Sequence, residues 1–153
     1  MCLLKNDKAT EKFRKKNKNK KDVIVWKMYS VSSTYGDVCP PYMSLGGVIK
    51  PGLIKSNRKS IDHDQLDDYC NNLDDCDLKD MNCFINSGIH VLLSRAAARK
   101  MASEYPEDRV FRCTAKMEDL VAVGEFDGEV DNAVFMNITI SEEDFEKGIK
   151  GRN

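Results

Sequence analysis

The stretch Val23-Ile24-Val25-Trp26-Lys27-Met28-Tyr29-Ser30-Val31 gives the clearest indication of the fold. It is rich in β-branched and aromatic side chains, which favour the extended backbone of a β-strand. Comparable stretches occupy residues 88–93, 109–115, 120–124 and 133–140, and apolar and polar residues alternate in the second of these. A β-sheet therefore organises the chain.

Helices are predicted around and between these strands. Ser94 is a suitable N-cap for the alanine-rich run that follows it, and Pro106 ends that helix. Ser141, with Asp144 three residues later, forms a capping box for a short C-terminal helix. Good helix formers also occur between residues 5 and 19. We therefore expect an α+β fold of one domain, with a mostly antiparallel sheet of about four to five strands and two to three short helices.

Length and composition agree with one globular domain. The chain has 153 residues, of which 41% are hydrophobic, so it can build a core. No apolar run reaches the roughly 20 residues of a membrane-spanning helix. The N-terminus also lacks the apolar stretch of a secretory signal. We therefore expect a cytoplasmic protein without membrane contact, located in the host cell cytoplasm if the chain is viral.

Charge is unevenly distributed, although 24 basic and 25 acidic side chains give a net charge of -1. Residues 1–27 contain ten basic and three acidic side chains, whereas residues 60–82 contain eight aspartates and one lysine. We predict a basic segment at residues 1–22 that is partly helical or disordered. A single α+β domain at residues 23–153 follows, and the acidic stretch is an excursion from it.

The basic N-terminus is a candidate surface for nucleic acid. Its lysines can contact phosphates in a salt-dependent manner. Phe13 is the one aromatic residue among them, so the segment has no series of rings on which bases could stack. We expect weak nucleic-acid contact at most, and the alternative is a solvated tail that aids solubility.

The acidic stretch is a candidate surface for a protein partner. Its aspartates could imitate the charge of a nucleic acid toward a host protein. An EF-hand is excluded, because the stretch lacks the glycine and the final glutamate of that calcium-binding loop. The aspartates that we assign to partner binding are Asp62, Asp64, Asp67, Asp68, Asp74 and Asp75.

The six cysteines indicate neither a disulfide framework nor a metal site. A chain of this length without an export signal is expected to keep its thiols reduced. A zinc site can be drawn from His63, Cys70, Cys76 and Cys83, but gaps of five and six residues separate these cysteines. Zinc-binding cysteine pairs usually have two to four residues between them. We predict no metal and no cofactor.

A third group of residues suits a phosphorylated ligand such as a nucleotide. Arg58 could hold a phosphate with its forked guanidinium group, and Tyr42 could stack on a base. His90, inside an apolar strand, could act as a base or contact a nucleotide. Alternatively, it is a core histidine bonded to backbone. The residues that we assign to ligand binding are Tyr42, Lys50, Lys55, Ser56, Arg58 and His90.

The later part of the chain carries a recognisable order of short motifs. Gly88-Ile89-His90-Val91 precedes a helix, and the Arg112-Cys113 strand leads to the turn Glu118-Asp119-Leu120-Val121-Ala122 and the strand Ala133-Val134-Phe135. This order resembles uncharacterised small domains of bacteriophages and large DNA viruses. The resemblance implies an α+β fold and a viral origin, and it implies no activity.

Three functions follow from these observations. The favoured one is a small viral accessory protein that blunts a host defence system by binding a host protein or a nucleotide signal. It is favoured over an enzyme because two histidines give no assignable catalytic triad. The alternatives are an enzyme acting on nucleotides or nucleic acid, and a virion structural or assembly protein that forms homo-oligomers.

Overall fold

The computed structural model describes residues 3–40, 47–56, 84–85, 88–126 and 129–151. In these ranges the chain forms ten β-strands, three α-helices and a 3₁₀-helix at Met117–Asp119. The strands are β1 (Leu3–Lys5), β2 (Asp22–Val31), β3 (Val38–Cys39), β4 (Gly52–Lys55), β5 (Phe84–Ile85), β6 (Ile89–Leu92), β7 (Asp108–Lys116), β8 (Leu120–Phe126), β9 (Glu129–Phe135) and β10 (Asn137–Ile140). The helices are α1 (Asp7–Lys16), α2 (Arg95–Ala102) and α3 (Glu142–Ile149).

All ten strands belong to one sheet. Its order is β4-β10-β7-β2-β6-β9-β8-β1-β5, and β3 pairs with β2 beside this path. The pairings among the described strands are antiparallel. The predicted α+β domain with a mostly antiparallel sheet is therefore confirmed. The predicted four to five strands are wrong, because eight of the ten described strands have three or more residues.

The strand count was underestimated for two physical reasons. The sequence predicts one strand over residues 133–140. In the structure the chain bends at Met136, whose amide donates to the Asp119 carbonyl oxygen at 2.9 Å. The bend carries the chain from β9, beside β6, to β10, beside β7. In addition, β1, β3 and β5 have only two or three residues each, which is too few for a periodic pattern to show.

The inner face of the sheet lines the main hydrophobic core. Alternate residues of β2, β7 and β10 point into it, including Val25, Cys113 and Ile138, each at most 1% exposed. Seven strands contribute buried residues to this one cluster. One buried cluster therefore runs across most of the width of the sheet. Phe13 of α1 and Phe145 of α3 pack against the same cluster.

The helices follow the predicted capping residues. The Ser94 side chain accepts a hydrogen bond from the Ala97 amide at 3.3 Å and opens α2, and Ser141 opens α3 in the same way. The α2 helix covers part of the outer face of the sheet, where Ala98 and Ala102 pack on Met28, Leu92 and Val110. Among the helices in the described ranges, none has the length and apolar character that a bilayer crossing demands.

Two glycines allow close approaches that a larger residue would prevent. Gly88, which precedes β6, has a φ of +84°, and a Cβ atom built there would lie 2.5 Å from the Val134 Cγ1 atom. Gly148 in α3 lies directly against the ring of Phe111, which a Cβ atom would overlap. The two positions set how β6 meets β9 and how α3 meets β7.

The basic N-terminal segment packs onto the sheet. Leu3 of β1 is fully buried, and β1 pairs with both β5 and β8. The α1 helix lies on β8 and ends at Lys16, with Asn17 as its C-cap. The exposed lysine-rich turn between α1 and β2 is therefore held at both ends by ordered structure.

Candidate functional site

The predicted ligand-binding residues occupy two separate places. Lys50, Lys55 and Ser56 lie along β4 and its ends, at one end of the sheet order. His90 lies in β6, and β10, β7 and β2 separate that strand from β4. Both lysines are exposed, and the Ser56 amide donates to the Met136 carbonyl oxygen at 2.8 Å. The structure therefore brings Lys55 and Ser56 together and leaves His90 at a different strand junction.

Several predicted residues lie outside the described ranges. They include Tyr42 and Arg58 of the ligand group, and the zinc candidates His63, Cys70, Cys76 and Cys83. The predicted partner-binding residues Asp62, Asp64, Asp67, Asp68, Asp74 and Asp75 lie outside them as well. Within the described ranges, no three His, Cys, Asp or Glu side chains cluster in a way that could hold a metal ion.

Lys27 and His90 meet where β2 and β6 come together. These strands share one ladder pair, Trp26 with Leu92. Beyond that pair, the Lys27 Nζ atom donates to the His90 carbonyl oxygen at 2.7 Å. A side-chain bond therefore joins the two strands where their described ladder has ended. The Lys27 Nζ atom also lies 5.7 Å from the centroid of the Tyr29 ring, within reach of a cation–π contact.

Burial changes the acid–base properties of this junction. Loss of water around the ammonium group lowers the pKa of Lys27 to about 8, and the nearby Cys113 thiol opposes this shift in part. Burial raises the pKa of Cys113 to about 12, against a smaller opposing effect of Lys27. Burial also raises the pKa of Tyr29. With a pKa near 8, about a fifth of Lys27 is the neutral amine at pH 7.4, which is the form that acts as nucleophile or base.

A small cleft opens at the same junction. Its lining includes Lys27, Met28, His90, Met101 and Asn132. The cavity volume is about 10 Å³, which is room for one water molecule. A nucleotide needs a pocket of several hundred Å³. The arrangement can therefore hold a water beside a partly neutral amine, and the cleft has no room for a nucleotide.

A second feature is a line of exposed lysines on α1 and the turn that follows. It contains six residues that are exposed and form no ion pair with any part of the chain that the structure describes. Several other surface lysines are paired, as in Lys147 with Glu143 and Lys150 with Glu146. We refer to the unpaired group as the lysine surface; its members are Lys8, Lys12, Lys16, Lys18, Lys20 and Lys21.

The helix that carries the lysine surface is fixed to the sheet by buried polar contacts. The Thr10 hydroxyl accepts from the Val123 amide at 2.9 Å and lies 3.1 Å from the Val123 carbonyl oxygen. The Asn6 amide donates to that carbonyl oxygen, and the Asn6 side chain caps α1 at the Ala9 amide. Arg14 donates to the Leu120 carbonyl oxygen at 2.9 Å. Lys8, Lys12 and Lys16 therefore project from a helix that is anchored to the sheet.

A third feature is a row of side chains across the outer face of four strands. The register places Leu53, Thr139, Thr114 and Ile24 side by side on β4, β10, β7 and β2. Leu53 is 59% exposed and Ile24 is 41% exposed. We call this row the four-strand face. Exposed apolar side chains that line up across strands are suited to contact with another protein surface.

Comparisons with known proteins leave the family of the chain open. No family model matches it. The comparisons also found no curated protein and no solved structure that is significantly similar to it. The resemblance to small phage and large-virus domains therefore stays a prediction.

Sequence reasoning missed Lys27 as a functional candidate. The residue was counted only as part of the basic stretch 1–27. The signal that identifies it is the alternation of the strand, because Val25 and Tyr29 face the core and Lys27 lies between them in the same phase. A lysine in a core-facing position must be paired, solvated or neutralised.

Proposed function

We propose that the chain is a small accessory binding protein that acts by occupying a macromolecule of its host. If the chain is of viral origin, as its resemblance to phage and large-virus domains implies, its small size and uneven charge make interference with a host defence system the expected outcome of that binding. The observation that supports the proposal is the lysine surface, six exposed positive charges that have no ion-pair partner in the described part of a protein whose net charge is -1.

Unpaired charges on a fixed helix suit binding for two reasons. They steer a negatively charged partner toward one side of the molecule and raise the rate of association. They also require little ordering on binding, because the helix backbone is already anchored through Thr10 and Arg14. The partner is therefore expected to present an acidic surface.

The proposal is tested by comparing two variants with equal charge change. One removes three charges from the lysine surface, Lys12→Gln, Lys16→Gln and Lys20→Gln. The control removes three lysines that form ion pairs, Lys116→Gln, Lys147→Gln and Lys150→Gln. Each protein is expressed in bacterial cells, and the macromolecule that the wild type retains is identified, purified and titrated.

We expect the lysine-surface variant to bind the purified partner at least about tenfold more weakly, since lost steering and lost charge contacts both reduce affinity. The control should bind within about twofold of the wild type. A partner that binds the lysine-surface variant as tightly as the wild type would contradict the proposal.

The acidic stretch is the protein-binding version of the proposal, and it would contact a basic surface of a host protein, unlike the lysine surface. Changing Asp62, Asp64, Asp67 and Asp68 to asparagine removes four of its eight aspartates. If the stretch imitates a nucleic acid toward a host protein, binding to that protein should be lost while the fold, followed by circular dichroism, stays intact. Unchanged binding would remove the acidic stretch from the contact.

The proposal also has a small-molecule version, in which the chain binds a nucleotide signal in place of a macromolecule. Lys50 and Lys55 are exposed near and on β4, where they could contact phosphate groups. Isothermal titration with cyclic and linear nucleotides, using Lys50→Gln together with Lys55→Gln as the variant, tests this version. Binding that both substitutions leave unchanged would place the ligand elsewhere.

An enzyme is a second candidate, and the junction of Lys27 and His90 is the observation that favours it. An amine with a pKa of about 8 beside a cleft with room for one water molecule is suited to proton transfer with that water. Because the cleft has no room for a whole nucleotide, the substrate would lie across its mouth. A folded Lys27→Met protein that loses hydrolysis of a nucleotide or nucleic-acid substrate would support this candidate. His90→Ala provides the independent test at the same cleft.

Virion assembly is the third candidate, and the four-strand face is the observation that favours it. Its exposed Leu53 and Ile24 could pack against a second copy. Replacing both with serine should then convert an oligomer into a monomer in native mass spectrometry. A wild-type protein that is already monomeric at high concentration would count against assembly.

A further inference from the structure

The geometry of the lysine surface points to one class of partner. We propose that it binds the phosphate backbone of duplex nucleic acid without reading its sequence. This inference rests on the proposed function, because it identifies the acidic macromolecule that the surface occupies.

The spacing of the lysines fits a long, evenly charged partner. Lys8, Lys12 and Lys16 follow one another at intervals of four residues, which corresponds to about 6 Å along a helix axis. Lys18, Lys20 and Lys21 continue the positive charge beyond the end of α1. Both carboxylates of α1 are engaged, Asp7 with Lys5 and Glu11 with Lys15. The remaining charge on α1 is therefore a line of one sign that continues to Lys21 and ends at Asp22.

A duplex fits this line better than a single strand. Proteins that bind single strands stack the bases on aromatic side chains. Phe13, the one aromatic residue of α1, packs into the main core. A duplex presents about one negative charge per 1.7 Å of its axis and needs no stacking platform. The backbone is therefore the part of a nucleic acid that this surface can contact.

The absence of aromatic contacts also predicts how binding behaves. Contacts to phosphate oxygens set position and affinity and carry no sequence information. Binding should therefore be independent of base sequence and should weaken steeply as salt displaces the protein from the phosphates. DNA and RNA duplexes share the phosphate chemistry, and parallel titrations of both distinguish which geometry is preferred.

The test is a fluorescence-anisotropy titration of labelled 20-base-pair DNA and RNA duplexes of mixed sequence. The full chain, the lysine-surface variant (Lys12→Gln, Lys16→Gln, Lys20→Gln) and the paired-lysine control (Lys116→Gln, Lys147→Gln, Lys150→Gln) are compared at several salt concentrations. Each phosphate contact contributes about 0.9 to the slope of log affinity against log salt on B-form DNA. We expect the slope of the lysine-surface variant to fall by roughly 3 and that of the control to change little.

Three results would overturn the inference. The first is no binding to either duplex at about 50 mM salt, where phosphate contacts are strong. The second is an equal loss in both variants, which would show an effect of total charge. The third is tighter binding to a single strand than to a duplex. If the duplexes fail while the lysine-surface variant still loses its purified host partner, the proposed function stands and that partner is an acidic protein.

Discussion

Lys27 and the lysine surface belong to the same basic stretch of sequence and occupy opposite environments. Lys27 faces the core in β2, donates to the His90 carbonyl oxygen and has a pKa lowered to about 8. Lys12 and Lys16 lie on the exposed side of α1 without an ion-pair partner in the described ranges. Net charge along a sequence therefore does not report charge on a surface, because the periodicity of each element decides which lysines reach solvent.

The polar contacts that anchor α1 to the sheet keep its lysines in a different environment from Lys27. Breaking these contacts should therefore have the largest effect on the free energy of unfolding. Thr10→Val keeps the shape of the side chain but removes the acceptor of the buried Val123 amide. We expect a loss of about 2 kcal/mol in the free energy of unfolding, because a buried donor is left unpaired. Denaturant unfolding measures this value.

Thr139→Val is the matched control for that change, because Thr139 is exposed on the four-strand face. It should shift the free energy of unfolding by less than about 0.5 kcal/mol. Equal effects of the two substitutions would show that the Thr10 hydroxyl does not hold α1.

For the buried Lys27 we predict an effect of intermediate size, a dependence of the free energy of unfolding on pH. The pKa of Lys27 is about 8 in the folded protein and 10.5 without the influence of the fold. The unfolded chain therefore binds more protons between these values, so stability rises with pH there. Between pH 7 and 9 the free energy of unfolding of the wild type should gain about 1 kcal/mol relative to Lys27→Met.

The pH window is chosen to isolate Lys27. Cys113 and Tyr29 have raised pKa values, so their contributions reduce stability as pH rises above about 9. Lys147→Met is the control, since Lys147 is exposed on α3. Its curve should run parallel to that of the wild type. A Lys27→Met curve parallel to the wild type would mean that the ammonium group is fully solvated.

For the exposed lysine surface we predict the smallest effect on stability. Changing Lys12, Lys16 and Lys20 to glutamine should alter the free energy of unfolding by less than about 0.5 kcal/mol, because these residues are exposed. Thermal unfolding followed by circular dichroism measures this shift. A loss of several kcal/mol would show that the lysine surface is part of the fold.

The strand and helix patterns of the sequence predicted much of the fold. The apolar run of β2 and the serine N-caps of α2 and α3 depend only on residues close together in the sequence. Such features can be predicted without a structure. The pairing of β9 and β10 with different partners was not predictable, because it depends on the bend at Met136 and its contact with the distant Asp119. Long-range pairing of this kind leaves no periodic signal.

The site could be predicted only in part. His90 was predicted as a site residue because it is a polar residue within an apolar strand. Its partner Lys27 was not, because it was considered only as one of the basic residues of the N-terminal stretch. The sequence alone could not show whether Lys55 and His90 lie close together, because the order of strands in the sheet determines the distance between them. The unpaired state of the lysine surface likewise depends on which carboxylates lie nearby in space.

The most direct test of the account is a lysine-labelling footprint with an acetylating reagent, read residue by residue by mass spectrometry, with and without a DNA duplex. We expect Lys8, Lys12 and Lys16 to be labelled rapidly in the free protein and to be protected by the duplex. Lys27 should react slowly until the protein is unfolded, and Lys147 should react equally in both conditions. Rapid labelling of Lys27 in the folded protein, or α1 lysines that the duplex leaves unprotected, would contradict the account.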